Sequence, residues 1–243
     1  MDIIFIIAVF LAFIVKGITG FGNTLVFGSI MSFSTNTINI TPVDLLVGLP
    51  SNAVIAVKER KSISAKVVVP LAVMVILGTI PGVYILKNAD VNMLKAIFGF
   101  VVILVGIETL LRERKQETSH PSRLLLGIIG IASGILCGMF GIGAFLVAYI
   151  SRTTENQAQF RGNICTVFLV ENIFRIIIYS IQGIISMPII YTSLKTLPFM
   201  LAGLAAGILV SKKLNDKIIK KIVIIMLMVT GLVLVINNLI LHL

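Results

Sequence analysis

"KGITGFGNTLVFG", residues 16–28, and "CGMFGIGAFLVAY", residues 137–149, interrupt two long apolar runs with glycines, and the first adds a lysine, an asparagine and a threonine. An unbroken helix crossing a membrane has no need of such residues, so the two stretches decide how the chain folds. The surroundings are apolar: 58% of the 243 residues are hydrophobic, 12% are charged, and the mean hydropathy is +1.10. Soluble domains carry about 25% charged residues. Runs 96–107, 196–210 and 222–241 contain no charge, and a bilayer core takes roughly 20 apolar residues per helical span. The composition is that of an all-α polytopic membrane protein. The opening Met1-Asp2 is acidic and no small-residue cleavage site follows the first apolar run, so that run is expected to stay in the mature protein.

A net charge of +10 does not point to nucleic acid, because the basic residues fall in short loops between apolar runs, as the positive-inside rule has them. Cys137 and Cys165 lie in apolar segments without metal-type spacing and read as small hydrophobes. No metal and no cofactor are expected. His120 and His242 lie outside the apolar cores and no paired-carboxylate or Ser-His arrangement is visible, which argues against an enzyme.

The second half repeats the first. Gly17, Gly20 and Gly22 match Gly138, Gly141 and Gly143, and Leu25-Val26 matches Leu146-Val147, all 121 residues apart. Gly78, Gly82 and Lys87 match Gly203, Gly207 and Lys212 at a slightly larger offset. The chain is therefore expected to be one transmembrane domain, 1–243, made of repeats 1–118 and 119–243. Each repeat holds a glycine-broken stretch (3–33 and 124–150) and three further apolar segments (43–57, 67–86 and 96–111; 164–185, 187–210 and 218–241).

Lysines and arginines choose the topology. If each broken stretch crosses fully, nine basic residues fall on either side. If each is a re-entrant hairpin that enters and leaves on one face, the basic groups at 58–66, 112–123, 152–161 and 212–221 collect fifteen on one side, leaving Lys87, Lys95 and Lys195 on the other. Fifteen against three is the bias a membrane protein carries. The expectation is two inverted repeats, each a re-entrant helical hairpin followed by three transmembrane helices, with both termini extracytoplasmic.

Irregular backbone at membrane depth survives only inside protein or beside a water-filled cavity, and a half-helix that starts there aims its N–H groups at whatever binds. Interrupted segments at matching places of inverted repeats point to a transporter's binding site. Gly20, Phe21, Gly22, Asn23 and Thr24 and Gly141, Gly143, Ala144 and Phe145 are the candidates from the two breaks. Ser51 and Asn52, following Pro50 in what is expected to be a broken segment, and Asn172 and Arg175 join them. Glu171 and Arg175 are spaced for a helix salt bridge, so Arg175 either binds an anion or neutralises its neighbour. Lys16, Arg161 and Glu171 are read as electrostatic or gating residues.

With its duplicated unit, its glycine motifs (Gly17, Gly20, Gly22; Gly138, Gly141, Gly143) and the Arg161-Gly162-Asn163 stretch, the chain resembles the sulfite exporter TauE/SafE family over essentially its whole length. The resemblance implies a permease of the bacterial or archaeal inner membrane for sulfite, a sulfonate or a related sulfur oxyanion. Asn23-Thr24 and Ala144-Phe145 stand where family members often carry more glycine and a proline. Its expected partners are a small anionic substrate and the lipid bilayer, with a homodimer as an option and no nucleic acid. The alternatives are a carrier of another small organic anion and a non-transporting intramembrane scaffold. The topology has a direct check: cysteines placed at Ser34 and His242 should react with an impermeant thiol reagent from outside, and cysteines at Ser62 and Ser119 should be protected. Labelling at Ser62 with protection at Ser34 would reject the inverted arrangement.

Overall fold

Long apolar runs punctuated by glycine form helices wherever the backbone must satisfy its own hydrogen bonds. The computed structural model describes residues 3–31, 37–112, 123–154 and 156–211. Among these it contains α1 (Ile3–Thr19), α2 (Asn23–Met31), α3 (Thr37–Lys58), α4 (Ala65–Asn88), α5 (Val91–Arg112), α6 (Arg123–Phe140), α7 (Ala144–Arg152), α8 (Gln157–Ile181) and α9 (Met187–Val210), with a short 3-10 turn at Arg60–Ser62 and no strand. The last expected segment, 218–241, and most of the joint near 112–123 lie outside the described residues.

Both apolar stretches break where the glycines stand. The φ angles of Gly20 (88°), Gly22 (85°) and Gly141 (77°) are left-handed, a region that residues with a Cβ avoid. Two expectations are corrected. The segment around Pro50-Ser51-Asn52 does not break: α3 runs continuously through Pro42 and Pro50. Pro50 withholds one N–H from the helix, but the loss of a single bond does not end it, as membrane helices tolerate proline where their surroundings support it; next to it the Ser51 hydroxyl donates to the Gly48 carbonyl at 2.6 Å. The segment expected from residue 164 starts at Gln157, because the Asn156 side chain caps it by accepting from the Gln159 N–H at 2.9 Å. Arg161, Gly162 and Asn163 are thus helical.

Burial is distributed inside out. Leu77, Tyr84, Phe100, Ile177 and Tyr191 are exposed on the outside, while Lys16, Asp44, Asn52, Glu171 and Arg175 are at most 5% exposed inside. Exposed apolar faces of this extent suit lipid. Among the described residues, 40–58, Ala65–Asn88, Gln157–Ile181 and Met187–Val210 are long and apolar enough to cross a bilayer, and α1 is shorter.

Small residues let helices approach closely in a membrane. α4 packs on α6 where Gly78 and Gly82 meet the backbone of Ile131, Gly134 and Ile135, and α1 packs on α9 where Gly203 and Gly207 meet the backbone of Phe10 and Ile14 and Gly17 meets that of Leu204 and Ile208. α3 lies against α8, α4 also against α8, and α9 against α3. Exchanging α1 with α6, α3 with α8 and α4 with α9 carries this set of pairings onto itself.

A methyl group on Gly203 would stand 2.5 Å from the Phe10 carbonyl oxygen, and one on Gly78 would run into the Ile131 carbonyl. Gly78→Ala and Gly203→Ala should each destabilise the protein by about 1–3 kcal/mol, read as a lowered melting temperature in detergent. Unchanged melting in both variants would contradict this packing.

Candidate functional site

The site begins where α1 stops. The Gly20 N–H donates to the Lys16 carbonyl at 2.7 Å, and the Thr19 hydroxyl lies 2.7 Å from the Phe21 carbonyl oxygen and 3.2 Å from the Phe21 nitrogen. This turn delivers Asn23 and Thr24 to the first turn of α2. There Asn23 Nδ2 donates to Asp44 Oδ1 at 2.9 Å, and Thr24 Oγ1 donates to Asp44 Oδ2. Asp44, on α3, is 5% exposed, and the sequence reading passed over it. The signal was present: an acidic residue one place inside an apolar segment, with no basic residue three or four positions away.

The second break is built around α8. Arg175 donates from Nη1 to the Cys137 carbonyl and from Nη2 to Asn172 Oδ1 at 3.1 Å. Its Nε lies 3.2 Å from Glu171 Oε1, but without hydrogen-bond geometry, and among the described residues neither Glu171 oxygen has a hydrogen-bond donor. The contact is therefore an ion pair whose carboxylate keeps unused acceptors. The guanidinium also sits 5.7 Å from the Tyr179 ring centroid, and the Tyr179 hydroxyl donates to the Gly138 carbonyl at 2.7 Å. Cys137 and Gly138 are in the last turn of α6, where carbonyls have no helical partner and the helix dipole is negative. The other broken helix is finished in the same way: Arg161 Nη2 donates to the Ile18 carbonyl in the last turn of α1, and Cys165 Sγ to the Gly20 carbonyl at 3.2 Å. One helix thus carries the cationic caps of both broken ends.

The two breaks meet. A methyl group on Gly141 would lie 3.1 Å from Arg175 Nη1 and 3.3 Å from the Thr24 methyl, and one on Gly48 would sit 3.7 Å from the Asn23 amide and 3.9 Å from that of Asn172. Lys16 is 2% exposed, and no hydrogen bond or ion pair reaches its Nζ among the described residues; the Phe13 ring lies 5.7 Å away. Asn52, one turn beyond Gly48, is buried with its Oδ1 unpartnered. Lys16, Asn23, Thr24, Asp44, Asn172, Arg175 and Gly141 form one polar centre, with Glu171 at its edge.

Other candidates point elsewhere. Phe21 packs edge-on against Phe160, centroids 5.9 Å apart, and Gly20 lies beneath the Arg161 side chain. Gly143 has φ −104° and faces the Phe168 ring, so its small size is a packing need, not a need for left-handed backbone. Phe145 is 38% exposed. Ala144 opens α7. Cys137 and Cys165 are buried free thiols.

The family described as sulfite exporter TauE/SafE matches residues 5–234. No curated protein and no solved structure matches.

Removing one member of a buried ion pair strands the other, at about 3–5 kcal/mol. Arg175→Ala should therefore lower the melting temperature strongly, and the neutral pair Glu171→Gln with Arg175→Gln should recover part of the loss. A double variant less stable than either single one would show that the Arg175 bonds to Cys137 and Asn172 outweigh its pairing with Glu171.

Proposed function

The chain belongs to the sulfite exporter TauE/SafE family, and from that premise we propose that this membrane protein is a secondary carrier for a small anion, namely sulfite, a sulfonate or a related sulfur oxyanion. The observation that carries the reading is the meeting of two broken helices at a buried polar centre holding Lys16 and Arg175. A buried cation with no bonded partner is expensive in a membrane and is usually there for function. Lys16 supplies such a charge, and Arg175, with five donor hydrogens of which two are spent on Cys137 and Asn172, retains others for a ligand.

On this reading the anion lies between α1, α3 and α8, contacted by Lys16, Asn23, Asn52, Asn172 and Arg175. The Gly20 and Gly141 turns bring backbone close to it, and Arg161, holding the end of α1, acts as a gating residue. Ser51 shapes the α3 wall through its bond to Gly48. The inverted repeat is part of the proposal. Its support is that the helix pairings map onto themselves when α1, α3 and α4 are exchanged for α6, α8 and α9. The repeats 1–118 and 119–243, the re-entrant hairpins, the extracytoplasmic termini and residence in the cell membrane belong to the same proposal.

Purified protein in liposomes loaded with radiolabelled sulfite should release it faster than protein-free liposomes. Lys16→Ala and Arg175→Ala should weaken sulfite affinity about 10-fold to 100-fold, as expected for losing a charged hydrogen bond of about 1.5–3 kcal/mol. Flux no faster than from protein-free liposomes, with correctly folded protein, would leave the scaffold reading standing.

A further inference from the structure

Among the described residues the polar centre contains four buried charged side chains: Lys16, Asp44, Glu171 and Arg175. With all four ionised their charges cancel. A monovalent anion added to them would leave one negative charge uncompensated in the interior of a membrane protein, where an unpaired charge is strongly disfavoured. The centre accepts such an anion without that penalty if one carboxylate takes up a proton.

The two carboxylates differ in their surroundings. Glu171 has Arg175 at 3.2 Å, and neutralising it would strand the guanidinium. Asp44 forms no ion pair among the described residues. Its partners are the neutral Asn23 amide and Thr24 hydroxyl. The charged groups that act on it from the surrounding helices are Lys16 on α1 and Arg175 on α8. From α5 and α6 it is faced by the rings of Phe98 and Phe140, which do not titrate. Beside the carboxylate lies a void of about 10 Å³, lined by Asp44, Thr24 and Thr41 and walled by Phe27, Phe98 and Phe140. That is about the room one water needs.

We propose that Asp44 is a proton-binding site that couples proton uptake to anion binding at the Lys16–Arg175 centre, making the protein a proton–anion symporter. The inference rests on the carrier reading above. The step is a simple protonation: a proton from water joins one Asp44 oxygen as the anion enters, Thr24 turns its hydroxyl to accept from the new O–H, and the proton leaves again when the anion leaves. The sign follows by linkage. Anion binding favours the protonated carboxyl, so affinity is greatest at low pH. Above the titration of Asp44 it falls by up to about tenfold per pH unit.

The test uses purified full-length protein and sulfite. Calorimetry in buffers of different ionisation enthalpy counts protons, and infrared difference spectroscopy detects a protonated carboxyl group. Sulfite is itself a weak acid, so methanesulfonate, whose charge is fixed across the pH range, serves as a second probe. Sulfite binding to the wild type should bring an added carboxylic-acid band and uptake of about one proton per anion beyond that of the free ligand. Asp44→Asn should bind with neither. Binding without the band, or a band that persists in Asp44→Asn, overturns the assignment of Asp44 and leaves the carrier reading intact. No binding of either probe to folded wild type overturns the carrier reading and the coupling with it. If Asp44→Asn does not fold, the wild-type band decides alone: its absence on sulfite binding rejects the proposal.

Discussion

A helix that ends inside a protein's interior leaves carbonyl groups that neither water nor its own backbone can satisfy, and the rest of this structure is arranged around that fact. α1 and α6 both end in this way, at Thr19 and Phe140. Their last turns are closed by arginines from a single helix, Arg161 on Ile18 and Arg175 on Cys137. α8 must therefore lie against both breaks, which places it in the centre beside α3. The guanidinium groups serve the negative ends of two helix dipoles. Arg175 then requires a counter-charge of its own, and Glu171 one turn earlier provides it.

The glycines divide into two kinds with separate physical jobs. Gly17, Gly78, Gly82, Gly203 and Gly207 have helical backbone, and their missing side chains let another helix's carbonyls come close. Gly20, Gly22 and Gly141 have left-handed backbone and turn the chain. The first kind holds the outer pairs α1–α9 and α4–α6 together. The second turns the chain so that Asn23, Thr24 and Gly141 come close to the Arg175 guanidinium. Without the close outer pairing, the two turns would not be held near α3 and α8.

Much of this was legible in the sequence. Glycine spacing located both breaks to within a turn of helix, α9 spans the expected Met187–Val210, and the i, i+4 spacing of Glu171 and Arg175 marked them as candidates for an ion pair. Two features were misread for definable reasons. Pro50 suggested a break because proline removes a helical hydrogen bond, but one missing bond does not end a helix of 22 residues, and α3 continues through it. Asp44 escaped notice because it stands at the border of an apolar run, where a charge usually faces water. Its partners, Asn23 and Thr24, are 21 and 20 residues away, and periodicity within one helix cannot reveal a contact between two. The same holds for the Arg161 cap on α1, which joins residues 143 apart.

The proposed binding place for a small oxyanion is where the two helix breaks meet. Selenite, an anomalously scattering analogue of sulfite, allows that place to be seen in crystals grown with it. The account predicts an anomalous peak between Lys16 Nζ and the Arg175 guanidinium, beside the Asn172 amide, that disappears in Lys16→Ala. Peaks confined to the basic loop residues at 58–66, with none in the centre, would contradict it.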